Sequence, residues 1–240
     1  MNNNTTKILN IEFYNRSFKS FCELIEKRTE ERENTFVVTA NPEIAVNAQN
    51  DRKFMNIVKS ADFVVPDGIG IVKGAKMLDL PMKERISGYD IFLEMLKWGN
   101  QNNKSAYFVG SKPEVIIKLR NKVAEQYPNL TILGMKDGYF KNDIKLVKSI
   151  QKSKPDMVFM ALGSPKQEEF INKYRKVSNS LWIGLGGSFD VLSGNVKRAP
   201  KFWIKHHIEW LYRLIKQPSR IGRMMAIPKF LRLVKKQKRL

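Results

Sequence analysis

The sequence is poor in the residues that usually announce a chemistry. A single cysteine, Cys22, excludes a disulfide framework and a cysteine-rich zinc site. The two histidines, His206 and His207, are adjacent and sit in a strongly basic stretch. That setting suits an interfacial or packed role better than a catalytic or metal-binding one. No Asp-x-Asp pair occurs, so the usual carboxylate pair that presents a divalent cation to a nucleotide diphosphate is missing. GxxxxGK[ST], HExxH and GxSxG are also absent. No apolar run approaches the roughly 18 residues of a spanning helix. The amino terminus, Met1-Asn2-Asn3-Asn4, has no apolar signal core. The expected location is cytosolic, with attachment to a membrane surface left open.

What is present suffices for a real core: 42% of the 240 residues are hydrophobic and 10% aromatic, which excludes a disordered polyelectrolyte. The length fits one domain, or one domain with an appendage. Charge is uneven. Positions 196–240 carry 14 Lys/Arg against one acid, Glu209, a net of +13 out of +20 for the whole chain. Such a stretch seeks phosphates, whether of nucleic acid or of anionic lipid.

Positions 1–195 alternate short apolar runs with helical patterns. Strands are expected over 7–14, 36–39, 63–65, 107–110, 131–133, 157–160 and 181–184. Helices are expected over 17–28, from Pro42, from Ser87-Gly88, from Pro113, over 143–150 and from Pro165. This alternation predicts an α/β fold of Rossmann-like type, a mostly parallel sheet with helices on both faces. In such sheets ligands bind beyond the carboxyl ends of the strands.

The unusual residues collect at those ends. They are Thr39-Ala40-Asn41-Pro42, Pro66-Asp67-Gly68-Ile69-Gly70, Gly110-Ser111-Lys112-Pro113, Gly163-Ser164-Pro165-Lys166-Gln167-Glu168 and Gly184-Leu185-Gly186-Gly187-Ser188-Phe189-Asp190. Each alone serves plain turn geometry as readily as a ligand. Together they line one sheet edge, where free N–H groups at helix starts can receive phosphate. A dinucleotide fingerprint fails, because after Gly68 and Gly70 the third glycine would fall at Lys73. Asp67 is either a partly desolvated general base with a raised pKa or a cap for the following helix. Arg85 either clamps a diphosphate or is a solvated charge. Gln167 either hydrogen-bonds a sugar or faces solvent. Without a carboxylate pair, a bound diphosphate must be neutralised by helix N-termini and cationic side chains.

The appendage, 196–240, is amphipathic. Trp203, Ile204, His207, Ile208, Trp210, Leu211, Leu214 and Ile215 recur at helical spacing, and Pro218 ends that pattern. A second pattern runs from Ile221 to Val234, with Pro228 expected to interrupt or kink it. Three readings compete: helices lying in a membrane interface, a helical hairpin packed on the body, and a nucleic-acid arm. The first is preferred and nucleic acid is not the expected partner. An apolar tail also allows burial against a second subunit, a homo-oligomer.

With these residues assembled, the chain resembles the WecG/TagA/CpsF family of bacterial glycosyltransferases. The resemblance runs through the strand-end motifs above, Arg85-Ile86-Ser87-Gly88-Tyr89-Asp90, Arg198-Ala199-Pro200, Glu209-Trp210-Leu211-Tyr212-Arg213-Leu214 and Gln217-Pro218-Ser219-Arg220. It implies inverting, metal-independent transfer from a UDP-sugar donor to undecaprenyl-diphosphate-linked N-acetylglucosamine, with no cofactor. The implied sugar is N-acetylmannosamine, for wall teichoic acid or a related surface polymer; UDP-ManNAcA or UDP-glucose are the alternative donors. A non-catalytic membrane- or nucleic-acid-binding module is the more remote reading. By resemblance Asp67 is the base, and Thr39, Asn41, Arg85 and Gln167 line the active-site pocket. Gly110, Gly163, Lys166, Gly186, Gly187 and Asp190 are expected around the donor. Arg213, Arg220 and Arg223 are expected to face the acceptor diphosphate or lipid headgroups. The implied location is the cytoplasmic face of the cell membrane, as a peripheral protein on its anionic surface.

Overall fold

The structure is a computed structural model, and it describes residues 4–200, 202–203, 209–216 and 221–239. It opens with a difference from expectation. Instead of one strand over 7–14, β1 (Thr5–Ile8) and β2 (Ile11–Tyr14) form an antiparallel hairpin apart from the main sheet. Leu9 and Asn10 turn it with φ of 48° and 61°. Two consecutive left-handed residues make the tight turn whose twist suits a hairpin, and the usual glycine signal is absent. Ile8, Ile11 and Phe13 are fully buried beneath it.

The main sheet has six strands, all parallel, in the order β4-β3-β8-β7-β5-β6. In the chain they are β3 (Thr35–Ala40), β4 (Phe63–Pro66), β5 (Ser105–Gly110), β6 (Thr131–Lys136), β7 (Met157–Ala161) and β8 (Leu181–Gly184). Every residue of β3, β7 and β8 is buried, as a strand covered on both faces requires. The helices are α1 (Phe18–Glu30), α2 (Pro42–Asn50), α3 (Arg52–Lys59), α4 (Ile69–Met77), α5 (Gly88–Gln101), α6 (Pro113–Gln126), α7 (Asp143–Ser153), α8 (Lys166–Tyr174) and α9 (Ser188–Leu192). They are followed by α10 (Glu209–Lys216), α11 (Ile221–Met224) and α12 (Ala226–Gln237). Caps explain several boundaries: Ser17 accepts from Ser20 N, Asn41 from Ile44 N and Asp51 from Lys53 N.

Two apolar layers sandwich the sheet. One joins the hairpin with α2, α3, α4, α7, α8 and α12, and the other joins α1, α5, α6 and α9. Neighbouring strands therefore send their chains to opposite faces: β3 to α2 on the first, β8 to α9 on the second, β7 to α8 on the first. The parting of these connections opens a crevice at the carboxyl ends of β3, β8 and β7.

The tail divides in two. α12 belongs to the body's core, with Phe230 and Val234 fully buried. It packs against α4 at Gly74, where a Cβ would stand 2.6 Å from the Phe230 ring. Leu9 N–H donates to Gln237 Oε1 at 2.8 Å, tying the helix end to the hairpin turn. The apolar face of α12 is therefore spent inside the protein and is not offered to a membrane. α11 ends at Met224 and α12 starts at Ala226, and Pro228 falls in the first turn of α12, where its missing N–H costs no helical bond. The interruption expected near Pro228 is present, three residues before it, at Met225. Among the described residues no helix is long and apolar enough to cross a membrane.

Candidate active site

The crevice is a cavity of about 440 Å³ walled by the turns after β3, β4, β7 and β8. Parallel register sets Thr39 beside Val65 and Ala40 beside Pro66, so the two turns leave the sheet together. Asp67 N–H donates to Ala40 O at 2.9 Å, fixing Asp67 at the cavity wall beside Asn41. Gly68, not Asp67, occupies the N-cap of α4, with φ of 101°, a backbone that favours glycine. Arg85 arrives from elsewhere in the chain. Ile86 N–H donates to Pro66 O at 3.0 Å, laying the segment before α5 along the end of β4.

Of the residues expected at the site, Thr39, Asn41, Asp67, Arg85, Gly163, Gln167, Gly186, Gly187 and Asp190 all line this cavity. Their engagements differ. Thr39 is buried, and its hydroxyl donates to Gly184 O at 2.8 Å. Asn41 spends its carbonyl oxygen on capping α2. Gln167 does not face solvent: it is 3% exposed and its amide is held at both ends by the protein. Arg85 Nη2 lies 3.8 Å from Asp90 Oδ2, and Arg198 donates to the other oxygen of that carboxylate. Arg198 also stacks 4.7 Å over the ring of Tyr89, whose hydroxyl pKa burial pushes up. Asp90 thus gathers two arginines, of which Arg85 stands in the cavity wall.

Two expected residues fall elsewhere. Gly110 does not line the cavity. Its φ is 128°, and a Cβ there would stand 2.3 Å from the backbone of Ala161, so glycine serves the close approach of β5 and β7. Lys166 lines a neighbouring basin of about 670 Å³, with Lys112, Lys173 and Tyr139. Asp190 and Ser111 belong to both spaces, and Ser111 Oγ donates to Asp190 Oδ2 at 2.9 Å. On the tail side, Trp210, Met224 and Ile227 complete the wall. Arg220, His206 and His207 lie outside the described residues, as do the side chains of Arg213 and Arg223.

Sequence reasoning missed Ser111, Arg198 and Glu168. All three stand in motifs quoted above, but nothing in the spacing of the first two points to Asp190 or Asp90. Glu168 is fully buried, and burial pushes its carboxyl up to about 7 against the pull of the Gln167 amide. A glutamate in the first turn of a helix reads from sequence as a solvated charge.

The chain has relatives among known proteins. The model of the family described as Glycosyl transferase WecG/TagA/CpsF matches residues 6–240. The chain is 42% identical over 237 residues to an N-acetylglucosaminyldiphosphoundecaprenol N-acetyl-beta-D-mannosaminyltransferase of Bacillus spizizenii, covering 98% of this chain and 92% of that protein. A protein of the same name from Bacillus subtilis is also 42% identical, covering 98% and 93%. One from Staphylococcus aureus is 35% identical over 242 residues, covering 98% and 95%.

Proposed function

Because the chain belongs to the WecG/TagA/CpsF family of glycosyltransferases, we propose that it moves N-acetylmannosamine from UDP-N-acetylmannosamine to N-acetylglucosaminyl-diphosphoundecaprenol, forming a β-linkage with inversion. The product would enter wall teichoic acid or a related surface polymer. The observation that carries the reading is the convergence of Asp67, Asn41, Arg85 and Gln167 on one cavity at the end of the sheet.

An acceptor hydroxyl is a poor nucleophile near neutral pH. Asp67 takes its proton as the oxygen bonds to the anomeric carbon and the bond to UDP breaks on the opposite face. Base assistance of this kind is worth roughly 10²–10⁴-fold. Negative charge grows on the departing diphosphate, and Arg85 is the described cation of the cavity wall suited to meet it. The nucleotide extends toward the basin of Lys112, Lys166 and Lys173, with the Asp190 carboxylate placed to accept from ribose hydroxyls.

The acceptor carries a lipid, and the tail side of the site suits one. Phe202, Trp210, Ile215, Ile221 and Met225 are exposed, in a segment that also holds Lys201, Lys205, Lys216 and Arg220. Apolar side chains among basic ones suit an anionic membrane surface, which would place the enzyme peripherally on the cytoplasmic face. The test is UDP release with a panel of UDP-sugars and a lipid-linked N-acetylglucosamine acceptor. Preference for UDP-N-acetylmannosamine supports the reading. Preference for UDP-ManNAcA or UDP-glucose moves the chain to another donor within the family, and no release with any donor defeats the reading.

A further inference from the structure

Gln167 and Glu168 are consecutive in the first turn of α8, and both are buried. The Gln167 side chain lies across Gly184 at the end of β8, where a Cβ would stand 2.7 Å from its Nε2. It reaches the turn beyond, and Gly186 N–H donates to Gln167 Oε1 at 3.0 Å. At its other end Gln167 Nε2 donates to Glu168 Oε1 at 2.8 Å. Gly186 and Gly187 form part of the cavity wall, and Gly186 has φ of 53°. One chain of two hydrogen bonds therefore runs from a buried carboxyl through an amide to the backbone of a cavity turn.

A glutamine amide has two orientations of nearly equal shape. A backbone N–H only donates, so it demands Oε1; a carboxylate only accepts, so it demands Nε2. Glu168 and Gly186 together admit one orientation. A protonated Glu168 still accepts through its carbonyl oxygen, so the arrangement survives a change of its charge. Meanwhile Glu168 Oε2 and Ser164 Oγ are both buried and make no hydrogen bond of good geometry, although Ser164 is near enough to favour the ionised carboxyl. A fully buried carboxyl whose second oxygen has no well-made hydrogen bond is a poor device for stability alone.

We infer that Glu168 is a positioning residue for the transfer reaction: by accepting from Gln167 Nε2 it holds the amide oxygen on Gly186 N–H and so sets the turn that lines the cavity. The inference rests on the reaction proposed above for its activity measurement alone; hydrogen exchange at Gly186 is independent of it.

The experiment uses the full chain with two substitutions. Glu168→Met keeps the length and removes the acceptor. Glu168→Gln keeps an acceptor oxygen and removes the charge. In Glu168→Met, exchange of the Gly186 amide speeds by about tenfold or more, and turnover falls about 10²-fold, the cost of a small misplacement near the chemistry. In Glu168→Gln both stay within about threefold of the wild type. Wild-type protection of Gly186 in a folded Glu168→Met overturns the inference, as does a Glu168→Gln as impaired as Glu168→Met. Should Glu168→Met not fold, a swap decides. Gln167→Glu sets two carboxyls against each other, and adding Glu168→Gln restores both hydrogen bonds with the roles exchanged. Recovery of Gly186 amide protection over the single Gln167→Glu supports the inference, and no recovery overturns it. If the wild type releases UDP from no donor, the proposed reaction fails, while Gly186 exchange still decides the role of Glu168.

Discussion

Phe230→Ala separates a tail that is part of the core from one that only anchors. Phe230 is fully buried, and its ring covers Gly74 of α4, which has no side chain to move into the gap. Its neighbours on the same helix face, Ala226 and Val234, are short. The site can collapse little, which puts the cost near the middle of the usual range for removing a buried Phe, about 4 kcal/mol. For a chain of this length each kcal/mol shifts the melting temperature by roughly 2–4 °C, so a fall of about 8–16 °C is expected. Thermal unfolding without any membrane reads it. The contact also predicts a coupling of definite sign. Gly74→Ala alone pushes a Cβ into the ring and destabilises, whereas in the Phe230→Ala background the same Cβ fills vacated space and recovers part of the loss. Ile221→Ser, on an exposed side chain, should leave melting unchanged and weaken flotation with anionic vesicles. A Phe230→Ala protein that melts within about 2 °C of the wild type, or additive effects at positions 74 and 230, would refute the packing argument.

Asp67→Asn should lose most turnover while still binding UDP; near wild-type turnover, with binding followed by calorimetry, would remove Asp67 as the base. Turnover should survive EDTA, because the chain lacks an Asp-x-Asp pair, and a large loss restored by Mg²⁺ or Mn²⁺ would contradict that. The raised pKa of Glu168 sets a pH dependence. Its carboxyl moves from 4.5 to about 7 on folding, chiefly through burial, with the Gln167 amide and Ser164 opposing and Glu169 adding to the rise. The folded state therefore holds the proton more tightly, and this contribution to stability, complete below the unfolded pKa, is lost as pH rises through about 7. Glu168→Gln removes it, so the variant should gain about 2 kcal/mol on the wild type between about pH 5 and pH 7, measured by denaturant unfolding. An unchanged difference across that range would show that the carboxyl ionises as freely folded as unfolded.

The fold was legible because its signals are local. Buried parallel strands read as short apolar runs such as 36–39 and 157–160, and Pro42 and Pro113 mark helix starts in the chain itself. The site was legible as a region, since a parallel sheet brings every strand's carboxyl end to one edge, so the turns at 39–42, 66–70, 163–168 and 184–190 had to meet. Periodicity reports which face of an element is apolar but not what covers it. That is why the pattern in 221–234, equally suited to a lipid surface, became in part a core helix once Gly74 opened a slot for Phe230. The hairpin escaped for a similar reason, because Leu9 and Asn10 adopt left-handed backbone that the surrounding burial of Ile8 and Ile11 enforces. Ser111 with Asp190, Arg198 with Asp90 and Gln167 with Gly186 are pairs 79, 108 and 19 positions apart. The sequence alone determined the edge at which chemistry gathers. Which side chains face each other across it was decided by the alternation of α2, α9 and α8 between the two faces of the sheet, because only that parting opens the crevice and sets the walls opposite one another.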